Sequence, residues 1–81
     1  MKTFKNLQTL EKRLKRGIAW EDYFILDGKL WEMYEYGPFQ GTPLYVYFLN
    51  KRTGYLIHIR YNLNPYSFID VEMLENAYLW R

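Results

Sequence analysis

At 81 residues the chain has material for one hydrophobic core and reads as a single domain over 1–81, since a domain of this size buries only about 60% of its unfolded surface. It contains no cysteine and one histidine, which excludes a disulfide framework and any thiolate metal site, so neither a metal nor a cofactor is expected. A formal charge of +2 is too small to argue for nucleic acid by itself, because backbone binding depends on clustered cations rather than on a marginal total.

Aromatic residues make up 21% of the chain, and this supplies the packing density that a small core needs. Usage favours Phe, Tyr, Ile, Asn and Lys over Ala, as in translation from an AT-rich genome. No apolar run approaches the roughly 18 residues that span a bilayer, so a soluble, cytoplasmic protein with no membrane partner is expected.

The first predicted element is a helix. Phe4, Leu7, Leu10 (or Glu11), Leu14 and Ile18 recur at spacings of three and four, which places them in one apolar stripe. Thr3 or Asn6 can cap its start, and Gly17 can end it after Arg13, Lys15 and Arg16. The opposite side carries Lys5, Lys12, Arg13, Lys15 and Arg16; it is either a solvated face or a surface for an anionic partner.

Two hairpins follow. Asp27-Gly28 joins Asp22–Leu26 to Lys29–Tyr36, and Asp-Gly suits a type I′ turn because both central residues need positive φ. A two-residue loop sets Leu26 opposite Lys29, Ile25 opposite Leu30, Phe24 opposite Trp31 and Tyr23 opposite Glu32. Phe24, Leu26, Trp31 and Met33 are the stronger apolar face, although Ile25 and Leu30 leave the assignment of the core open. Gly37–Pro43 holds two prolines and two glycines and reads as a loop, with Phe39 either a plug over the core edge or a contact residue. The second hairpin pairs Leu44–Leu49 with Tyr55–Tyr61 across Asn50–Gly54, a loop length that fits a type I turn closing on a glycine bulge. Tyr55, Ile57, Ile59 and Tyr61 then lie on the side opposite to Leu56, His58 and Arg60.

Ser67-Phe68-Ile69-Asp70 matches a capping box, and Val71, Leu74 and Tyr78 continue it as the inward stripe of a second helix, acidic outside through Glu72 and Glu75. The expected architecture is α+β in the order α-β-β-β-β-α. It consists of a four-stranded antiparallel sheet of two hairpins flanked by an N-terminal and a C-terminal helix on one face; a small SH3-like barrel with helices is the alternative. Side by side, the acidic second helix would neutralise the basic first one.

In this arrangement one sheet face stays open, carrying Tyr45, Tyr47, Leu56, His58 and Arg60, with Lys51 and Arg52 at the loop tip. No phosphate loop, activated nucleophile or histidine pair occurs. Glu32 and Glu35, three apart on a strand, should point to opposite faces. Tyrosine and arginine are residue types enriched at protein interfaces. The expected function is therefore a small non-enzymatic protein-binding module acting on another protein. Its most concrete form is an inhibitor or accessory protein from a phage or mobile element, for instance an anti-defence inhibitor of a nucleic-acid-handling enzyme such as a CRISPR nuclease. Homodimerisation through the open face or an edge strand is a further expectation. The alternative is a single-stranded nucleic-acid-binding domain in which Tyr45 and Tyr47 stack bases beside Arg60, His58, Lys51 and Arg52. A second alternative is a metal-independent, toxin-like ribonuclease using His58, Arg60 and Tyr61.

Overall fold

The computed structural model describes residues 2–17, 21–37 and 43–75. The chain runs β1 (Lys2–Phe4), α1 (Leu7–Arg16), β2 (Tyr23–Leu26), β3 (Lys29–Gly37), β4 (Tyr45–Leu49), β5 (Leu56–Asn62) and β6 (Ser67–Leu74). The strands form one six-stranded sheet in sequence order, with β1 parallel to β2 and every other pair antiparallel. This corrects the expected four-stranded sheet with two flanking helices: there are six strands and one short helix among the described residues. The strand order is open rather than closed into a barrel, because β1 and β6 are its two ends.

Only α1 forms where a helix is expected. Asn6 caps it, its Oδ1 accepting from the Thr9 N–H at 2.9 Å, and the Gly17 N–H donates to the Leu14 carbonyl at 3.3 Å. Gly17 has φ +147°, a region that side-chain-bearing residues rarely enter. Phe4 leaves the helical stripe and becomes part of β1, with Lys2, Thr3 and Phe4 opposite Phe24, Ile25 and Leu26. The helix is thus the crossover that a parallel strand pair requires. Ile18 lies outside the described residues.

The expected C-terminal helix is the larger correction. Residues Ser67–Leu74 are a strand paired along β5 from Leu56–Leu74 to Asn62–Ser67. The run Asp70-Val71-Glu72-Met73 alternates polar and apolar, so it fits period two as well as a helical stripe. Pairing with β5 satisfies its backbone and resolves the choice in favour of strand. Ser67 makes no cap; its hydroxyl donates to the Pro65 carbonyl at 3.3 Å. Phe39 and Tyr78, for which roles are expected above, lie outside the described residues.

Helix α1 packs against both β1 and β6, the two ends of the strand order. The sheet must therefore curl around it into a half-barrel. Two bulges contribute to the bend, at Tyr34 between Met33 and Glu35 and at Ile69 opposite Arg60–Tyr61, since an extra residue in one strand increases local twist. The concave side holds the core: Phe4, Leu10, Leu14, Phe24, Leu26, Trp31, Val46, Phe48, Ile57, Ile59 and Tyr61. Phe24 sits at its centre, edge-on to Phe4 at 5.7 Å and tilted on Phe48 at 4.7 Å. No helix among the described residues is long and apolar enough to cross a membrane.

Candidate functional site

The Asp27-Gly28 hairpin takes the expected register, whereas the second pairs Leu49 with Leu56, so that Asn50–Tyr55 rather than Asn50–Gly54 joins its strands. Asp27 and Gly28 have φ of +55° and +73°, as a type I′ turn needs, and Leu26 pairs with Lys29 and Phe24 with Trp31. At the β4–β5 tip, buried Asn50 organises the loop. Its Oδ1 accepts from the Arg52 N–H at 2.9 Å and the Thr53 N–H at 3.3 Å, while Gly54, at φ +81°, donates to the Asn50 carbonyl at 2.8 Å. That turn sets Tyr45 opposite Arg60, Tyr47 opposite His58 and Leu49 opposite Leu56. Tyr45, Tyr47, His58 and Arg60 consequently share the outer face, away from α1.

Three rings meet there. Tyr47 and His58 stack at 4.4 Å with planes 9° apart. Tyr45 stands edge-on to both, at 5.6 Å from Tyr47 and 6.4 Å from His58. Tyr45 also lies over Gly37, its cross-strand partner; a Cβ on Gly37 would sit 2.7 Å from the Tyr45 hydroxyl oxygen. The absence of a side chain at 37 is what lets the ring settle against the sheet.

Carboxylates flank the rings, and this the residue pattern did not reveal. Across the sheet, Glu35, Tyr47, His58 and Glu72 form one row, and Gly37, Tyr45, Arg60 and Asp70 the next. Arg60 clamps Asp70 with two hydrogen bonds, from Nε to Oδ1 at 2.8 Å and from a terminal nitrogen to Oδ2. Those bonds, with the attraction of the guanidinium, hold the Asp70 carboxyl below its ordinary value. His58 Nδ1 lies 3.6 Å from Glu72 Oε1, and the Tyr45 hydroxyl donates to Glu35 at 3.4 Å. Partial burial, then the charge of Glu35, raises the Tyr47 phenol above its usual range.

Glu32 and Glu35 both belong to this face, contrary to expectation. The bulge at Tyr34 shifts the alternation, so that Glu32 opposes Leu49 and Glu35 opposes Tyr47. Lys51, exposed at the loop tip, reaches Glu32 at 3.0 Å. Beside β3 a shallow groove of about 410 Å³ lined by Asp22, Met33, Tyr34, Glu35 and Tyr36 extends the acidic, aromatic surface. Asp70 and Glu72 could have been placed here from the two-residue alternation of β6; Glu35 could not, because nothing local marks a bulge.

Leu56 does not belong among the contact residues. It is 1% exposed, held between Leu49 and Leu74 of the neighbouring strands. Arg52 is exposed. Lys12, Arg13, Lys15 and Arg16 lie on α1, remote from this face because the helix covers the other side of the sheet. His58 and Tyr61 fall on opposite faces: Tyr61 is a core residue, stacked on Tyr66 at 5.3 Å. The trio His58, Arg60 and Tyr61 therefore does not converge. No group of three metal-ligating side chains forms among the described residues. No protein-family model, curated protein or solved structure matches the chain.

Proposed function

We propose that the protein is a non-enzymatic binding module, and that the outer face of β4 and β5 contacts a partner protein through Tyr45, Tyr47, His58 and Arg60. The observation that carries this reading is the preassembled ring cluster framed by Glu32, Glu35, Asp70 and Glu72. Stacked rings lose little side-chain freedom on binding, and this makes tyrosine an effective anchor. The surrounding carboxylates fit a partner that presents lysine and arginine, whose cations can also lie over tyrosine faces.

The same electrostatics work against base stacking on this face. Arg60 and Lys51, the cations that would meet phosphate, are engaged by Asp70 and Glu32, and Glu35 and Glu72 add repulsion beside the rings.

The test is capture by the tagged, nuclease-treated protein, with wild type compared to Tyr47→Ala. The expected result is a nuclease-resistant partner whose affinity falls at least about tenfold on removal of the ring, a loss of roughly 1.4 kcal/mol, while the circular dichroism spectrum is unchanged. A partner held equally well by the variant, or capture that disappears with nuclease, overturns the proposal.

A further inference from the structure

We infer that the exposed side of α1 is a second binding surface, which takes the phosphodiester backbone of nucleic acid through Lys12, Lys15 and Arg16. The charge of the molecule is strongly divided. Residues 2–17 carry six cations and one carboxylate, whereas residues 21–75 carry four cations and eight carboxylates. A balance of +2 over the whole chain conceals a basic helix on one side of the sheet and an acidic face on the other.

The two sets of cations differ in how they are used. On the outer face, Lys51 and Arg60 each have a carboxylate within 4 Å. On α1, Lys12 and Arg16 have none among the described residues, and Lys15 reaches only Glu11, at 3.9 Å. Lys12, Lys15 and Arg16 are all exposed, and spacings of three and four make them neighbours on one helical face, alongside exposed Gln8 and Thr9. Like charges so placed repel one another. The C-terminal dipole favours cations in the last turn, but its effect falls off within that turn and does not account for Lys12.

An acidic helix beside α1 would cancel this charge, and none lies there among the described residues. Of the carboxylates expected on it, Glu72 lies on β6 beside His58, and Glu75, exposed just past β6, forms no ion pair with Lys12, Lys15 or Arg16 among the described residues; the expected capping residue Asp70 points outward to Arg60. Phe68, Val71 and Met73 are the β6 residues that pack against the core. A lipid surface is the less suitable anion. Leu10 and Leu14 are spent in the core, and the exposed side keeps no large apolar residue to enter a bilayer, as a membrane-surface helix requires. Phosphodiester backbone needs only clustered, accessible cations.

Fluorescence anisotropy of the full chain with a short labelled DNA duplex tests this. With about three phosphate contacts, the logarithm of affinity should fall with a slope of about −2.7 against the logarithm of salt, roughly a forty-fold weakening between about 50 and 200 mM. Replacing Lys12, Lys15 and Arg16 together by Gln should weaken binding at least about tenfold at the lower salt, and replacing Lys51 and Arg52 by Gln should change it by less than about twofold. Single substitutions should each lower the slope by about 0.9, which keeps the test valid if the triple variant fails to fold. Absence of saturable binding at low salt, a greater loss from the loop variant than from the helix variant, or tighter binding to phosphatidylserine vesicles than to the duplex overturns the proposal.

Discussion

Tyr47 and Phe48 are neighbours in one strand and belong to different parts of the molecule. Phe48 is 2% exposed and rests on Phe24 within the concave core. Tyr47 is half-buried on the convex side, stacked on His58 between Glu35 and Glu72. One backbone thus serves two solvents. Inward residues are selected by volume and by removal of apolar area from water, and outward residues keep rings and charges where a second molecule can reach them. The comparison shows that an aromatic-rich sheet need not be an oversized core: a curl around one helix buries only one of its faces.

Substitutions on the two sides should separate them, beginning with the core. Phe48→Ala should cost about 3–5 kcal/mol through lost transfer energy and a residual cavity. In a domain this small that is enough to leave a large unfolded fraction, readable by urea denaturation. On the outer face, Tyr47→Ala should cost only about 0.5–1.5 kcal/mol, the worth of its ring contacts. Equal losses at the two positions would mean that the outer face is structural.

Gly37→Ala sharpens the same division. The new Cβ would press on the Tyr45 ring, 3.0 Å from its Cζ as well as 2.7 Å from the hydroxyl oxygen. The ring should swing off the sheet at a cost of about 1 kcal/mol. Near-ultraviolet circular dichroism should report the displacement, and the substitution should have little further effect in a Tyr45→Ser background. Partner affinity should fall with it, although residue 37 itself makes no contact.

The smallest effect concerns pH and is confined to the outer face. Arg60 holds the Asp70 carboxyl below its ordinary 3.8. A carboxyl with a lower pKa in the folded than in the unfolded chain stabilises the fold above the unfolded value. That contribution is lost as pH falls through the folded one. Urea midpoints should therefore decline as pH drops below 3.8, and less so for Asp70→Asn. The difference will be modest, because both partners are solvent-accessible and screened.

Much of this arrangement is written in short-range pattern. The Asp27-Gly28 turn, the glycine-closed loop at Asn50–Gly54 and the Asn6 cap are local devices. Each acts over a few residues of backbone, so its consequence, the register of the first hairpin, the position of the second turn and the start of α1, can be read without knowledge of the rest. The alternation along β4 and β5 likewise identifies Tyr45, Tyr47, His58 and Arg60 as companions on one face.

Other features depend on partners distant in sequence. Lys2–Phe4 is a strand only because Phe24–Leu26 lies beside it; three residues carry no period of their own. For Ser67–Leu74, a capping box and a helical stripe compete with a two-residue alternation, and the hydrogen bonds offered by β5 decide between them. That one decision sends Asp70 and Glu72 to the side opposite α1, so it makes the outer face acidic and leaves the helix basic. The bulge at Tyr34 adds Glu35 to the same face through a register shift that no nearby residue announces. Local chemistry therefore determined the turns and the ring cluster, while long-range pairing decided the charge around them, because a side chain's face depends on which strand its backbone finds to bond.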